Sequence, residues 1–153
     1  MGEFNNLLIE HTPRTPQVDL NQLNGELILS GKSIPENAAK VYEPVLNWVS
    51  SYILNARPTT NLRLNLEFFN TSSSIWLVKI LKILTQIKNP DYVLIIHIYL
   101  PLEDFEDFEK SGDIEEAFAP MTDIFNDAIP SIGIKIYGTE DDGKVIREKL
   151  VFI

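Results

Sequence analysis

Leu62-Arg63-Leu64-Asn65-Leu66-Glu67-Phe68-Phe69-Asn70-Thr71-Ser72-Ser73-Ser74 is the stretch that decides how this chain folds. From Leu62 to Phe68 apolar side chains alternate with Arg63, Asn65 and Glu67, the period-two pattern of a strand with one face toward a core. The pattern stops at Asn70, where short polar side chains succeed one another. Such side chains accept hydrogen bonds from the first free N–H groups of a helix. Residues 72–88 follow with Ile75, Trp76, Leu77, Val78, Ile80, Leu81, Ile83, Leu84 and Ile87, so the spacing predicts a helix that neighbours largely cover. Asn89-Pro90 stops it. A strand delivered straight into a capped helix is the unit of an α/β fold.

Downstream, residues 92–100 form a continuous apolar run, the mark of a central strand buried on both faces. Upstream, residues 17–20 and 26–30 flank Asn24-Gly25, whose tolerance of positive φ predicts a β-hairpin. Pro35 suits a first helical turn. Ala38, Val41, Tyr42, Val45, Trp48, Val49, Tyr52 and Ile53 then make one apolar stripe, with a kink or a short first turn expected at Pro44. Glu103 to Glu116 is acidic around Phe105 and Phe108, and predicts one or two helices broken at Gly112. Ile114, Phe118, Ile124 and Phe125 are its expected core residues. Ile132, Ile134 and Ile136 predict a strand, with residues 144–153 pairing to it across 139–143 or forming a terminal helix over 143–150. Residues 1–16 read as an extended lead-in. The order β-β-α-β-α-β-α-β-β predicts an α/β (α+β) fold: a mixed sheet with about three packed helices, in one domain spanning residues 1–153.

Of the 153 residues 44% are hydrophobic and 23% charged, a globular composition. The absence of cysteine removes disulfides, thiolate nucleophiles and zinc–thiolate sites together. Thirteen basic against 22 acidic residues leave a net charge of −9, which disfavours phosphate backbones and anionic lipid as partners. No nucleic acid, membrane insertion or cofactor is expected, and a cytoplasmic location is.

The motifs of catalysis are thin. His11 lies in the lead-in and His97 within an apolar strand, where packing or hydrogen bonding accounts for it. The sequence holds no Gly-x-Ser-x-Gly elbow, phosphate-cradling glycine loop or His-Glu-x-x-His. The acidic run lacks the alternating ligands and central glycine of a calcium loop, so no metal is expected. A hydrolase using Asp104 and Asp107 is the weakest reading, and an enzyme the weaker class. Asn70 to Ser74 offers more. Read plainly it is an N-cap worth about 1 kcal/mol. The same free N–H donors and partial positive charge also suit a phosphate carrying about −1.5 to −2 charges.

Several segments together resemble the SiaC family of bacterial regulatory phosphoproteins, a family of STAS-like character. They are Gly25 to Gly31; Ser33-Ile34-Pro35-Glu36-Asn37 with Tyr42-Glu43-Pro44 and Trp48; Leu66 to Ser74; His97-Ile98-Tyr99; and the acidic stretch Glu103–Asp113. The resemblance covers roughly residues 10–118 and implies a non-enzymatic switch in a partner-switching pathway. It implies that a partner kinase phosphorylates Thr71 and a PP2C-type phosphatase reverses this. The unphosphorylated form would bind and activate a diguanylate cyclase, raising cyclic-di-GMP and favouring biofilm. Asn70, Ser72, Ser73, Ser74, Ser33, Pro35, Glu36 and Asn37 would lie beside Thr71 at the partner surface. The family's lysine after the serines is replaced here by Ile75 and Trp76, the next lysine being Lys79. The runner-up is a small-ligand- or lipid-binding STAS-like domain whose cavity is lined by residues 72–88.

Overall fold

Seven strands line up in the order in which the chain makes them. The computed structural model describes residues 5–111 and 122–152. The strands are β1 (Leu7–Ile9), β2 (Gln17–Asn21), β3 (Glu26–Ser33), β4 (Thr59–Phe69), β5 (Val93–Pro101), β6 (Ser131–Thr139) and β7 (Val145–Phe152). Antiparallel pairs close both ends of the sheet, β1–β2–β3 and β6–β7, while β3–β4–β5–β6 run parallel. The parallel connections carry α1 (Ala38–Tyr52), α2 (Thr71–Leu84), and α3 (Leu102–Ser111) with α4 (Thr122–Asn126). Stepping one strand at a time with right-handed crossovers puts the helices on one face of the sheet. The side chains on that face are the dry ones: Leu27, Leu29, Leu62, Leu94, Ile96, Ile134 and Ile136 are each 2% exposed or less. Full burial of each contributes about 1.5–3 kcal/mol.

The expected α/β mixed sheet is therefore present, with four differences of detail. The lead-in contributes a strand, β1, pairing Leu7 with Leu20 and Ile9 with Val18; at three residues it is too short to show a period in sequence. Pro35 precedes α1 rather than opening it, because Asn37 is the N-cap, its side chain accepting from the Lys40 N–H. The helix then runs unbroken through Pro44. α2 ends at Leu84, short of residue 88, as the Ile87 N–H turns back to the Leu84 carbonyl and Ile87 is buried beyond the helix. The alternative of a terminal helix over 143–150 is overturned: these residues lie mostly in β7, which pairs with β6. The expected break at Gly112 and core roles of Ile114 and Phe118 lie outside the described residues.

β5 is not buried equally on its two faces. Opposite the helices, the sheet presents hydrogen-bonded polar side chains. His97, 4% exposed, bonds through Nδ1 to the Tyr137 hydroxyl and through Nε2 to Asn61 Oδ1, each at 2.7 Å. Arg63 bonds to Glu26 at 3.0 Å and donates to the Tyr99 hydroxyl at 2.8 Å. Tyr99 stacks on Tyr137 with centroids 4.6 Å apart. Both imidazole nitrogens are satisfied in the neutral ring. Burial, then the nearby charges of Arg63 and Lys135, lower the His97 pKa from 6.5 to about 4.

Between about pH 4 and 6.5 a proton must therefore leave His97 on folding. Stability is full above about pH 6.5 and falls with pH from there toward 4. Between pH 7.5 and 5.5 the loss from this residue is about 1 kcal/mol. Urea unfolding at the two pH values measures it, and His97→Asn should flatten the difference. An unchanged pH dependence in that variant would assign the effect to other groups.

Candidate functional site

The carboxyl ends of β3 and β4 lie side by side, Ser33 paired with Phe69, and α1 and α2 both start at this edge. Asn70 joins the two starts. Its backbone N–H donates to the Ser33 carbonyl at 3.0 Å and its side-chain amide to the Pro35 carbonyl at 3.3 Å. In extended conformation it caps α2, its Oδ1 accepting from the Ser73 N–H at 3.0 Å, the Ser72 hydroxyl at 3.0 Å and the Ser73 hydroxyl at 2.7 Å. Asn70→Ala removes the cap and the side-chain tie to the Pro35 carbonyl, leaving the backbone bond to Ser33. We expect it to cost about 1–2 kcal/mol in thermal unfolding, with Asn70→Asp, which keeps the acceptor, costing less.

The four hydroxyls of the turn have different fates. Ser73 is fully buried and bonds to the Ser33 carbonyl at 3.0 Å and the Ser33 hydroxyl at 2.8 Å. Ser33, also fully buried, continues to the Tyr42 hydroxyl. Burial pushes the Tyr42 phenol up, against smaller effects of its serine hydrogen bonds, so it stays neutral. The Ser74 hydroxyl is half-buried and turns back to the Asn70 carbonyl at 3.3 Å. Ser72 is exposed but donates to Asn70 Oδ1. Thr71, the first residue of α2, is exposed, and its hydroxyl is uncommitted among the described residues.

The other residues picked out from sequence divide in the same way. Ser33 and Pro35 are buried and hold the connection together. Glu36 is exposed and pairs with Arg14 at 3.3 Å. Asn37 is exposed as the α1 cap. Ile75, which replaces the family's lysine but is not among the expected site residues, is 54% exposed, one turn after Thr71 on the same side of α2. Its four-residue spacing from Thr71 was the available signal. Lys79 and Lys82 extend the exposed side, Lys79 resting 4.3 Å above the Trp76 ring. No first-turn acidic residue offsets the positive end of either α1 or α2.

On its inward side α2 packs into the core through Ile80, Leu81 and Leu84. Glu103, Asp104 and Asp107 stand in solvent on α3. Among the described residues no helix is long and apolar enough to cross a membrane.

The family model for SiaC family regulatory phosphoproteins matches residues 9–125. The chain belongs to the SiaC family. Membership bears out the resemblance carried by the sequence segments, and the SiaC-family match spans this whole edge of the sheet. Apo-SiaC from Pseudomonas aeruginosa superposes with a TM-score of 0.62 at 22% identity, covering 85% of this chain and 98% of that one. A second SiaC structure from that organism gives 0.59 at 25% identity, over 70% and 91%. A chain in the crystal structure of diguanylate cyclase SiaD in complex with its activator SiaC, from the same organism, gives 0.63 at 22%, over 86% and 99%. An uncharacterized protein of Pseudomonas aeruginosa strain UCBPP-PA14 is 30% identical over 83 residues, which are 54% of this chain and 66% of the relative's length.

Proposed function

We propose that this SiaC-family regulatory phosphoprotein is a non-enzymatic switch whose phosphoacceptor is Thr71. It docks an effector while Thr71 is unmodified, releases it when a kinase phosphorylates Thr71, and is reset by a PP2C-type phosphatase. The observation that carries the assignment is the sorting of the hydroxyls: Ser73 is buried, Ser72 and Ser74 are committed to Asn70, and Thr71 is exposed and, among the described residues, uncommitted. A phosphate there would sit at the positive end of α2 with no acidic neighbour in the first turn. The fold would tolerate it.

The effector is by likeness a diguanylate cyclase, since one structural neighbour comes from the complex of SiaD with its activator SiaC. The docking face runs along the exposed side of α2, with Thr71, Ser72, Ile75, Lys79 and Lys82, and on to Glu36 and Asn37. Ile75 supplies the apolar anchor, and the lysines favour an acidic counterpart on the effector. A phosphate entering that face adds negative charge where the partner already carries it.

After incubation with the cognate kinase and ATP, phosphopeptide mapping should find one phosphate, on Thr71, absent from Thr71→Ala. Modification confined to Ser72, or no modification at all, sinks the assignment.

A further inference from the structure

Behind Thr71 a file of hydroxyls runs into the core: Asn70 Oδ1 to Ser73 Oγ at 2.7 Å, Ser73 Oγ to Ser33 Oγ at 2.8 Å, and Ser33 Oγ to the Tyr42 hydroxyl. Ser33, Ser73 and Tyr42 are all fully buried. At its inner end the Tyr42 ring stacks on Trp76 of α2, centroids 6.5 Å apart and planes 14° from parallel. We propose that this file transmits the state of Thr71 to the α1–α2 contact, with Tyr42 as the positioning residue at its inner end. The proposal rests on Thr71 as the modified residue and adds how the modification is felt inside the fold.

Counting protons shows why the file has two settings. Each hydroxyl has one proton, and a carbonyl oxygen has two lone pairs. Asn70 Oδ1 faces three donors, the Ser72 hydroxyl, the Ser73 N–H and the Ser73 hydroxyl. One of them is in excess. The Ser73 proton has a second acceptor in reach, the Ser33 carbonyl at 3.0 Å. With Ser72 bonded to Asn70, the Ser73 proton is left to the Ser33 carbonyl or to the Ser33 hydroxyl, and in the second case Ser33 turns its own proton to Tyr42 and the file reverses. If Ser72 is drawn off, Ser73 points to Asn70 and an unbroken sequence runs from Tyr42 through Ser33 and Ser73 to the cap. Only hydroxyl rotation separates the two.

A phosphate on Thr71 is a strong acceptor beside the Ser72 hydroxyl and the free N–H groups of the first turn. It draws the Ser72 proton from Asn70 and so selects the unbroken setting. Tyr42 is then held by a fully directed hydrogen-bond file, and its stack on Trp76 tightens. The unmodified protein samples both settings and holds that stack more loosely.

The chain contains two tryptophans, so Trp48→Phe leaves Trp76 as the sole indole reporter. Phosphothreonine inserted at position 71 during translation, without any kinase, should change Trp76 emission in that background. The change should vanish in Tyr42→Phe, which keeps the ring, and in Ser33→Ala, which breaks the file and leaves Tyr42 intact. Circular dichroism of each variant confirms that it is folded. An emission change that survives in both variants, or its absence in the parent, overturns the relay. Kinase mapping tests the phosphoacceptor separately, so a chain no kinase modifies at Thr71 would sink the switch while this measurement still reported on the relay.

Discussion

Thr71→Asp should lose the effector while Thr71→Ala keeps it. The two variants differ in charge at one exposed point on the docking face, and Asp is close in size to the threonine it replaces. A charge buried unpaired in an interface costs about 2–5 kcal/mol, a weakening on the order of 30- to several-thousand-fold. Removing an exposed, uncommitted hydroxyl costs no more than about 0.5 kcal/mol. Titration calorimetry against the effector reads both values. Unfolding would not account for the loss, because an acidic residue in the first turn of α2 stabilises the helix by about 0.3–1 kcal/mol. The melting temperature of Thr71→Asp should therefore hold or rise. Equal affinities for the two variants would remove charge as the basis of the switch.

Gly25→Ala should be strongly destabilising although it adds a single methyl group. Gly25 ends the β2–β3 turn at φ 73°, its N–H bonded to the Asn21 carbonyl and its carbonyl to the Asn61 N–H. A Cβ there would lie 2.5 Å from the Thr59 carbonyl oxygen and 3.2 Å from both Arg57 Cβ and the Tyr52 hydroxyl. The left-handed conformation alone costs a residue with a side chain about 1–2 kcal/mol. Relieving a backbone clash means shifting the start of β4, which brings the total to about 3 kcal/mol. At roughly 2–4 °C per kcal/mol for a chain of this size, the melting temperature should drop by about 6–12 °C. Gly31→Ala is the control: φ is 101°, but a Cβ would meet nothing within 4 Å. Its cost should stay near the strain alone. Equal losses in the two variants would show that the Thr59 contact does not matter.

Much of this architecture was legible because it rests on local periodicity. Leu62 to Phe68 alternates, Asn70 caps, and the residues after it repeat at helical spacing, so β4 and α2 follow without reference to the rest of the chain. The Asn24-Gly25 hairpin is legible for the same reason, whereas residues 144–153 left a strand and a terminal helix both open until β6 supplied the pairing. Errors fell where long-range contacts choose. Pro35 is a sound first helical residue in isolation, yet its carbonyl is held by Asn70, a residue 35 positions away, and the helix begins later. β1 is too short to announce itself and exists because β2 offers an open edge.

The candidate site divides along the same line. The sequence by itself determined that a helix starts at this turn, that its cap is rich in hydroxyls, and that no acidic residue stands in its first turn. These depend on residue types at fixed spacing. Only the tertiary structure decided which hydroxyl is offered to solvent. Thr71, Ser72, Ser73 and Ser74 are chemically near-equivalent in a row, but helical geometry turns Ser73 onto Ser33, which in turn meets Tyr42, and leaves Thr71 outside. Burial and hydrogen-bond commitment belong to the packed environment, and Ser33, which holds Ser73 in the core, lies 40 positions away along the chain.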